Sequence, residues 1–68
     1  MFTILENKHT EETREYIVIN EFSEDINYYE SVGYIPLRTC KKSEVDYFLE
    51  TYFETLQLNE EEQTILYL

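Results

Sequence analysis

Ser43-Glu44-Val45-Asp46-Tyr47-Phe48-Leu49-Glu50-Thr51-Tyr52-Phe53-Glu54-Thr55-Leu56-Gln57 is the stretch on which the fold turns. Apolar side chains recur at Val45, Phe48, Leu49, Tyr52, Phe53 and Leu56, three or four residues apart or adjacent, and this spacing lays all six on one face of a helix. Ser43 with Asp46 three residues on is a capping-box-like start, Asp standing where Glu or Gln is usual. The pattern predicts a helix over 44–57 whose apolar face needs a sheet or a second helix to cover it.

Upstream, Glu15-Tyr16-Ile17-Val18-Ile19-Asn20-Glu21-Phe22 is rich in β-branched and aromatic residues and has the length of a buried or half-buried strand. Phe2 to Glu6 is a second β-prone run. The polar residues from Asn7 to Arg14 between them have no hydrophobic period and read as a hairpin loop. Ser23 is an N-cap candidate, with Glu24 and Asp25 in the first turn, where the helix dipole favours negative charge. A short helix follows, carrying Ile26, Tyr29 and Val32 on one side. It stops at Gly33, the only glycine, placed where a left-handed C′ residue is usual. Tyr34 to Thr39 is extended, and because Pro36 cannot donate a ladder hydrogen bond, that strand belongs at a sheet edge or a bulge. Downstream, Asn59 with Glu62 repeats the capping pattern, so Glu60 to Leu68 is expected as a shorter helical segment or a frayed tail. The order is ββαβα plus a terminal helical turn. This is an α+β single domain over residues 1–68, with its helices packed on one side of a small sheet.

The length, 68 residues and 8.3 kDa, allows one domain and a modest core. Fifteen Asp and Glu against five Lys and Arg give a net charge of −10, which argues against direct binding to nucleic acid phosphates or to an anionic membrane. With 43% apolar and 16% aromatic residues, the chain is too hydrophobic for the disordered class. A single cysteine, Cys40, excludes an intramolecular disulfide and points to a reducing cytoplasm. The N-terminal residues carry no basic leader, and no apolar run approaches the roughly 18 residues of a membrane span. A chain this small without staples often completes its core against a second copy, so a homodimer is expected.

The inventory for catalysis is thin. Cys40 followed by Lys41 and Lys42, with His9 elsewhere, could in principle supply a nucleophile and a base. The plainer alternative is a strand-end cysteine and a solvent-facing histidine. One Cys and one His fall short of a zinc site, and one glycine cannot build a phosphate loop. Asn27 to Leu37 is similar to the helix-to-strand corner near the end of GNAT acetyltransferases. The chain lacks that family's Gly-rich loop and has about half its usual domain length, so acetyl transfer is set aside. No catalytic residue, metal or cofactor is assigned.

Charge placement is more informative. Asp46, Glu50 and Glu54 at i, i+4 and i+8 form one stripe beside the apolar face, about 6 Å apart along the axis, with no basic residue between them. Like charges so placed cost roughly 0.2–0.5 kcal/mol per pair. Glu60, Glu61 and Glu62 extend the negative run, while Arg38, Lys41 and Lys42 gather between the helices. Such a face can simply keep a small protein soluble. Alternatively, carboxylates on a rigid helix at near-phosphate spacing can occupy a basic site that normally holds DNA. Tyr47, off the apolar face, would add contact area to such an interface.

In size, charge and tyrosine content the chain resembles the small early proteins with which bacteriophages disable host enzymes, several of which imitate DNA. Its last residues, Gln63-Thr64-Ile65-Leu66-Tyr67-Leu68, are similar to the bacterial clamp-binding peptide with Gln first and Leu fourth and sixth. In that family the glutamine bonds at the rim of a pocket and the leucines fill it. Thr64 departs from the apolar residue usual in second place. The resemblance implies an inhibitor of the replication sliding clamp, of the kind found in staphylococcal phages, with a basic ring interior to receive the acids. The expected partner-binding set is Asp46, Tyr47, Glu50, Glu54, Glu61, Glu62, Gln63, Leu66 and Leu68. The same C-terminal pattern also suits an amphipathic helix that packs Ile65 and Leu68 on the core.

Overall fold

A computed structural model describes residues 1–68. It shows an α+β fold with strands β1 (Phe2–Lys8), β2 (Arg14–Asn20), β3 (Ile35–Cys40) and β4 (Thr64–Tyr67). Helix α1 (Asp25–Ser31) precedes β3, helix α2 (Lys42–Leu56) follows it, and a 3₁₀ turn (Glu60–Glu62) leads into β4. The sheet order is β3-β1-β2-β4. β1 runs antiparallel to β2 and β3, and β4 runs parallel to β2.

The hairpin is as expected, with Phe2 opposite Asn20 and Lys8 opposite Arg14. Its strands reach further into the polar run than hydrophobicity indicates. Thr10 closes the loop, its Oγ1 accepting from the amides of Glu12 and Thr13 at 3.2 and 2.9 Å. β3 lies at an edge and also carries a bulge: Ile4 faces Arg38 while Leu5 faces Pro36, so Leu37 is the extra residue. Both expectations for Pro36 are met.

The helices do not share one side of the sheet. Ile4, Tyr16 and Val18 form a core with Cys40 and the α2 residues Val45, Leu49 and Phe53. Leu5, Ile17 and Ile19 form a second cluster, against which Ile26 and Tyr29 of α1 and Tyr34 pack. The cause is in β1 and β2, which each bury four consecutive residues. Successive side chains point to opposite faces, so a run buried without a break requires cover on both.

Helix α1 starts beside Ser23, whose Oγ accepts from the Asp25 amide at 3.2 Å. It ends at Gly33 with φ +105°, where the Gly33 and Tyr34 amides donate to the carbonyls of Glu30 and Tyr29. Val32 stays exposed. In α2 the buried side chains are Val45, Leu49 and Phe53, flanked by half-buried Phe48 and Tyr52. The helix begins two residues before the expected start, with Lys41 as N-cap. Ser43 therefore sits inside the first turn and caps nothing.

The C-terminal segment departs most from expectation. Asn59 does cap, its Oδ1 accepting from the Glu61 amide at 3.0 Å, but the helical turn lasts only three residues. Thr64–Tyr67 then adds a fourth strand, with Tyr16 opposite Ile65 and Ile17 opposite Leu66. Its ladder satisfies the outer backbone groups of β2, which a terminal helix would leave without a sheet partner. No helix is long and apolar enough to cross a membrane.

Candidate functional site

The long helix places its acids where the sheet ends. Burial of Val45, Leu49 and Phe53 fixes the rotation of α2, and this turns Asp46 and Glu50 toward β4. Together with Glu60 of the 3₁₀ turn they rim a groove of about 390 Å³ that Leu49, Phe53 and Ile65 also line. The groove is apolar along its helix and strand walls and acidic at its rim. Glu54 continues the stripe in the exposed surface one turn further along.

Asp46 is tied in place: the Tyr67 hydroxyl donates to its Oδ1 at 2.9 Å, joining α2 to β4. Burial first, and then this bond and the nearby carboxylate charge, raise the Tyr67 hydroxyl above the ordinary tyrosine value. Asp46 is thus held by two elements, a core-packed helix and a ladder strand, while Glu50 and Glu54 are placed by the helix alone.

The other expected site residues lie elsewhere. Tyr47, strongly exposed, projects from the opposite flank of α2 beside Arg38, Glu44, Phe48 and Thr51. There the Arg38 guanidinium stands 5.5 Å from the centre of the Phe48 ring. Glu61 and Glu62 are exposed in the 3₁₀ turn, Glu62 bordering a separate hollow with Glu12, Gln57, Leu58 and Asn59. Gln63 is engaged inside the fold. Its Oε1 accepts from the Arg14 amide at 2.9 Å, and its Nε2 donates to the carbonyls of Glu12 and Asn59 at 2.6 and 3.4 Å. Leu66 shares the α1 face of the sheet with Ile17, whereas Leu68 borders a small apolar hollow with Phe2, Val18, Val45 and Tyr67. The clamp-peptide residues therefore do not form one exposed epitope.

Cys40 and His9 are far apart. Cys40 pairs with Phe2 at one end of β1 and is buried, while His9 follows the other end and meets Glu15 Oε1 at 3.2 Å. Seven residues of strand separate them, roughly 23 Å at 3.3 Å per residue. No three His, Cys, Asp or Glu side chains stand close enough together to share a metal ion.

A polar cluster that sequence reasoning missed lies beneath α2. Glu6 Oε2 accepts from the Tyr16 hydroxyl at 2.8 Å and from Arg14 Nη1 at 3.1 Å, with both charged side chains about nine-tenths buried. Burial, then the hydrogen bond to Glu6, push the Tyr16 hydroxyl far above its ordinary value, and the same causes raise Tyr52. The available signal was Glu6 and Tyr16 at facing hairpin positions, with Arg14 two residues before Tyr16 on the same face. The cluster contributes a fixed registration of the hairpin under the helix that carries the acids.

No protein-family model, no curated protein and no solved structure matches this chain.

Proposed function

We propose that the protein is a non-enzymatic acidic inhibitor that occupies the DNA-binding surface of a bacterial DNA-handling protein and blocks its access to DNA. The observation that carries this is the rimmed groove: Asp46, Glu50 and Glu60 held on rigid elements around an apolar floor, with Glu54 extending the row. Fixed carboxylates can replace phosphates on a basic surface, and the counterions released from that surface favour binding. The apolar floor adds an anchor for the aliphatic stems of lysine or arginine.

The replication sliding clamp is the first candidate target, because DNA passes through its basic ring interior. With Gln63 hydrogen-bonded within the fold, the carboxylates would make this contact and the C-terminal residues would not. On this proposal the protein works in the host bacterial cytoplasm and resembles phage host-takeover proteins. The alternative is a small structural or regulatory interaction module whose charge only maintains solubility. It draws support from Leu66, Tyr67 and Leu68, each about half exposed at one sheet edge.

A titration of purified clamp with the double variant Glu50→Lys/Glu54→Lys separates the two. The inhibitor requires binding by the natural protein and its loss in the variant, with an unchanged circular dichroism spectrum. Equal affinity for both proteins would reject the carboxylates as the contact. If the clamp binds neither protein, it is not the target.

A further inference from the structure

The two edges of the sheet are built differently. β3 is protected against adding another strand: Pro36 has no amide to donate, the bulge at Leu37 twists the edge, and Arg38 puts a charge on it. β4 has none of these devices. Thr64-Ile65-Leu66-Tyr67 contains no charge, proline or bulge, in a chain of net charge −10. Leu66, Tyr67 and Leu68 are 51%, 56% and 52% exposed.

The ladder identifies the free backbone groups. The Leu68 amide donates to the Val18 carbonyl, so Leu68 and, by the alternation of a strand, Leu66 and Thr64 turn their backbone groups toward β2. Ile65 and Tyr67 turn theirs outward. No turn, loop or cap hydrogen bond involves either amide.

We propose that β4 is the interface of a homodimer, joined antiparallel to β4 of a second copy across a two-fold axis at Leu66. In this register Ile65 faces Tyr67 of the second copy, Leu66 faces its own counterpart, and Thr64 faces Leu68. Both outward-facing residues then form hydrogen-bonded pairs, and Leu66 falls at a non-hydrogen-bonded position, where facing side chains are closest. Four backbone hydrogen bonds form, and the sheet runs through eight strands. A second copy is the fitting occupant because the edge is neutral and apolar, and an edge that complements it is carried by every copy of the chain. A cationic partner finds its complement at the acidic groove instead.

The two-fold axis stands perpendicular to the sheet, so both α2 helices share one face. Their Asp46 and Glu50 side chains flank the seam from either side. Mutual repulsion makes the dimer tighten as salt rises, opposite to the weakening expected of a contact between the acids and a basic partner. Failure of the dimer and failure of the proposed inhibitor are thus distinguishable.

Sedimentation velocity of the full chain over a dilution series, at low and high salt, tests this. The expected result is a species of twice the 8.3 kDa mass that grows with concentration and with salt. Leu66→Lys removes the apolar contact of the two Leu66 side chains and sets two like charges opposite each other, and should weaken association about 100-fold or more. Should that variant misfold, Leu66→Cys gives a second route. Facing Cα atoms at such a position lie about 4.5 Å apart, within disulfide range, so mild oxidation should cross-link it, whereas Leu56→Cys at the end of α2 should still associate but form no cross-link. A monomer at every concentration, or a dimer that resists Leu66→Lys and fails to cross-link through Leu66→Cys, would overturn the proposal.

Discussion

Arg14 and Glu6 hold opposite charges in a space that is nearly dry, and neither has a ready substitute for the other. Removing one partner leaves an uncompensated buried charge, so Arg14→Ala is expected to cost about 3–5 kcal/mol, read as a lower urea midpoint. Tyr16→Phe removes a single donor to the same carboxylate and should cost about 1.5–3 kcal/mol. Tyr16, Tyr52, Tyr34 and Tyr67 all have hydroxyls raised by burial and by hydrogen-bonded acceptors. A raised value means that the folded protein keeps its proton longer than the unfolded chain does. The stabilisation is complete below the unfolded tyrosine value of about 10 and declines as pH rises beyond it. Melting temperature followed by circular dichroism should therefore fall above that pH, and less steeply in Tyr16→Phe. Glu15 has the opposite sign: hydrogen bonds from Tyr34 and then His9 hold it below 4.5, against the effect of burial. Its contribution is present above that value and is lost as pH falls through the lower folded one.

Among the elements, the short helix and β4 depend most on single residues. Gly33 sits at φ +105° and a Cβ there would meet only the Asn7 side chain at 3.8 Å, an ordinary contact. Gly33→Ala should therefore cost about 1–2 kcal/mol through backbone conformation alone, measurable as a lower denaturant midpoint. Gln63→Ala removes two hydrogen bonds that anchor the start of β4 to β2 and the hairpin loop, and a third, longer one to Asn59. Hydrogen exchange of the Leu66 and Leu68 amides should quicken markedly while that of Leu49 and Phe53 is unchanged. The apolar spacing of α2, the Gly33 stop and the edge position of Pro36 were legible because each follows from local geometry. β4 was not: Ile65 and Leu68 at i, i+3 also suit a helix, and only the unpaired side of β2 selects the strand. The opposite placement of the helices was latent in Tyr16-Ile17-Val18-Ile19, where four adjacent apolar residues leave neither face free of burial.

At the scale of the whole molecule, folding joins acids distant in sequence and separates others that are close. Asp46, Glu50 and Glu60 come to one groove, while Glu62, two residues beyond Glu60, borders another. The helical stripe was legible from the i, i+4 spacing. Its apolar floor was not, because Ile65 reaches it only through the strand. Gln63, Leu66 and Leu68 matched a peptide pattern in one dimension and are divided among three surroundings in the fold. A net charge of −10 acts through what the acidic surface retains. The tagged protein, immobilised and exposed to bacterial lysate, is eluted by a salt gradient and in parallel by excess duplex DNA. A DNA-handling protein should be released at moderate salt and displaced by DNA, and immobilised Glu50→Lys/Glu54→Lys should fail to retain it. Retention of nothing basic, or of a partner that DNA leaves in place, would contradict it and make the stripe a solvated surface.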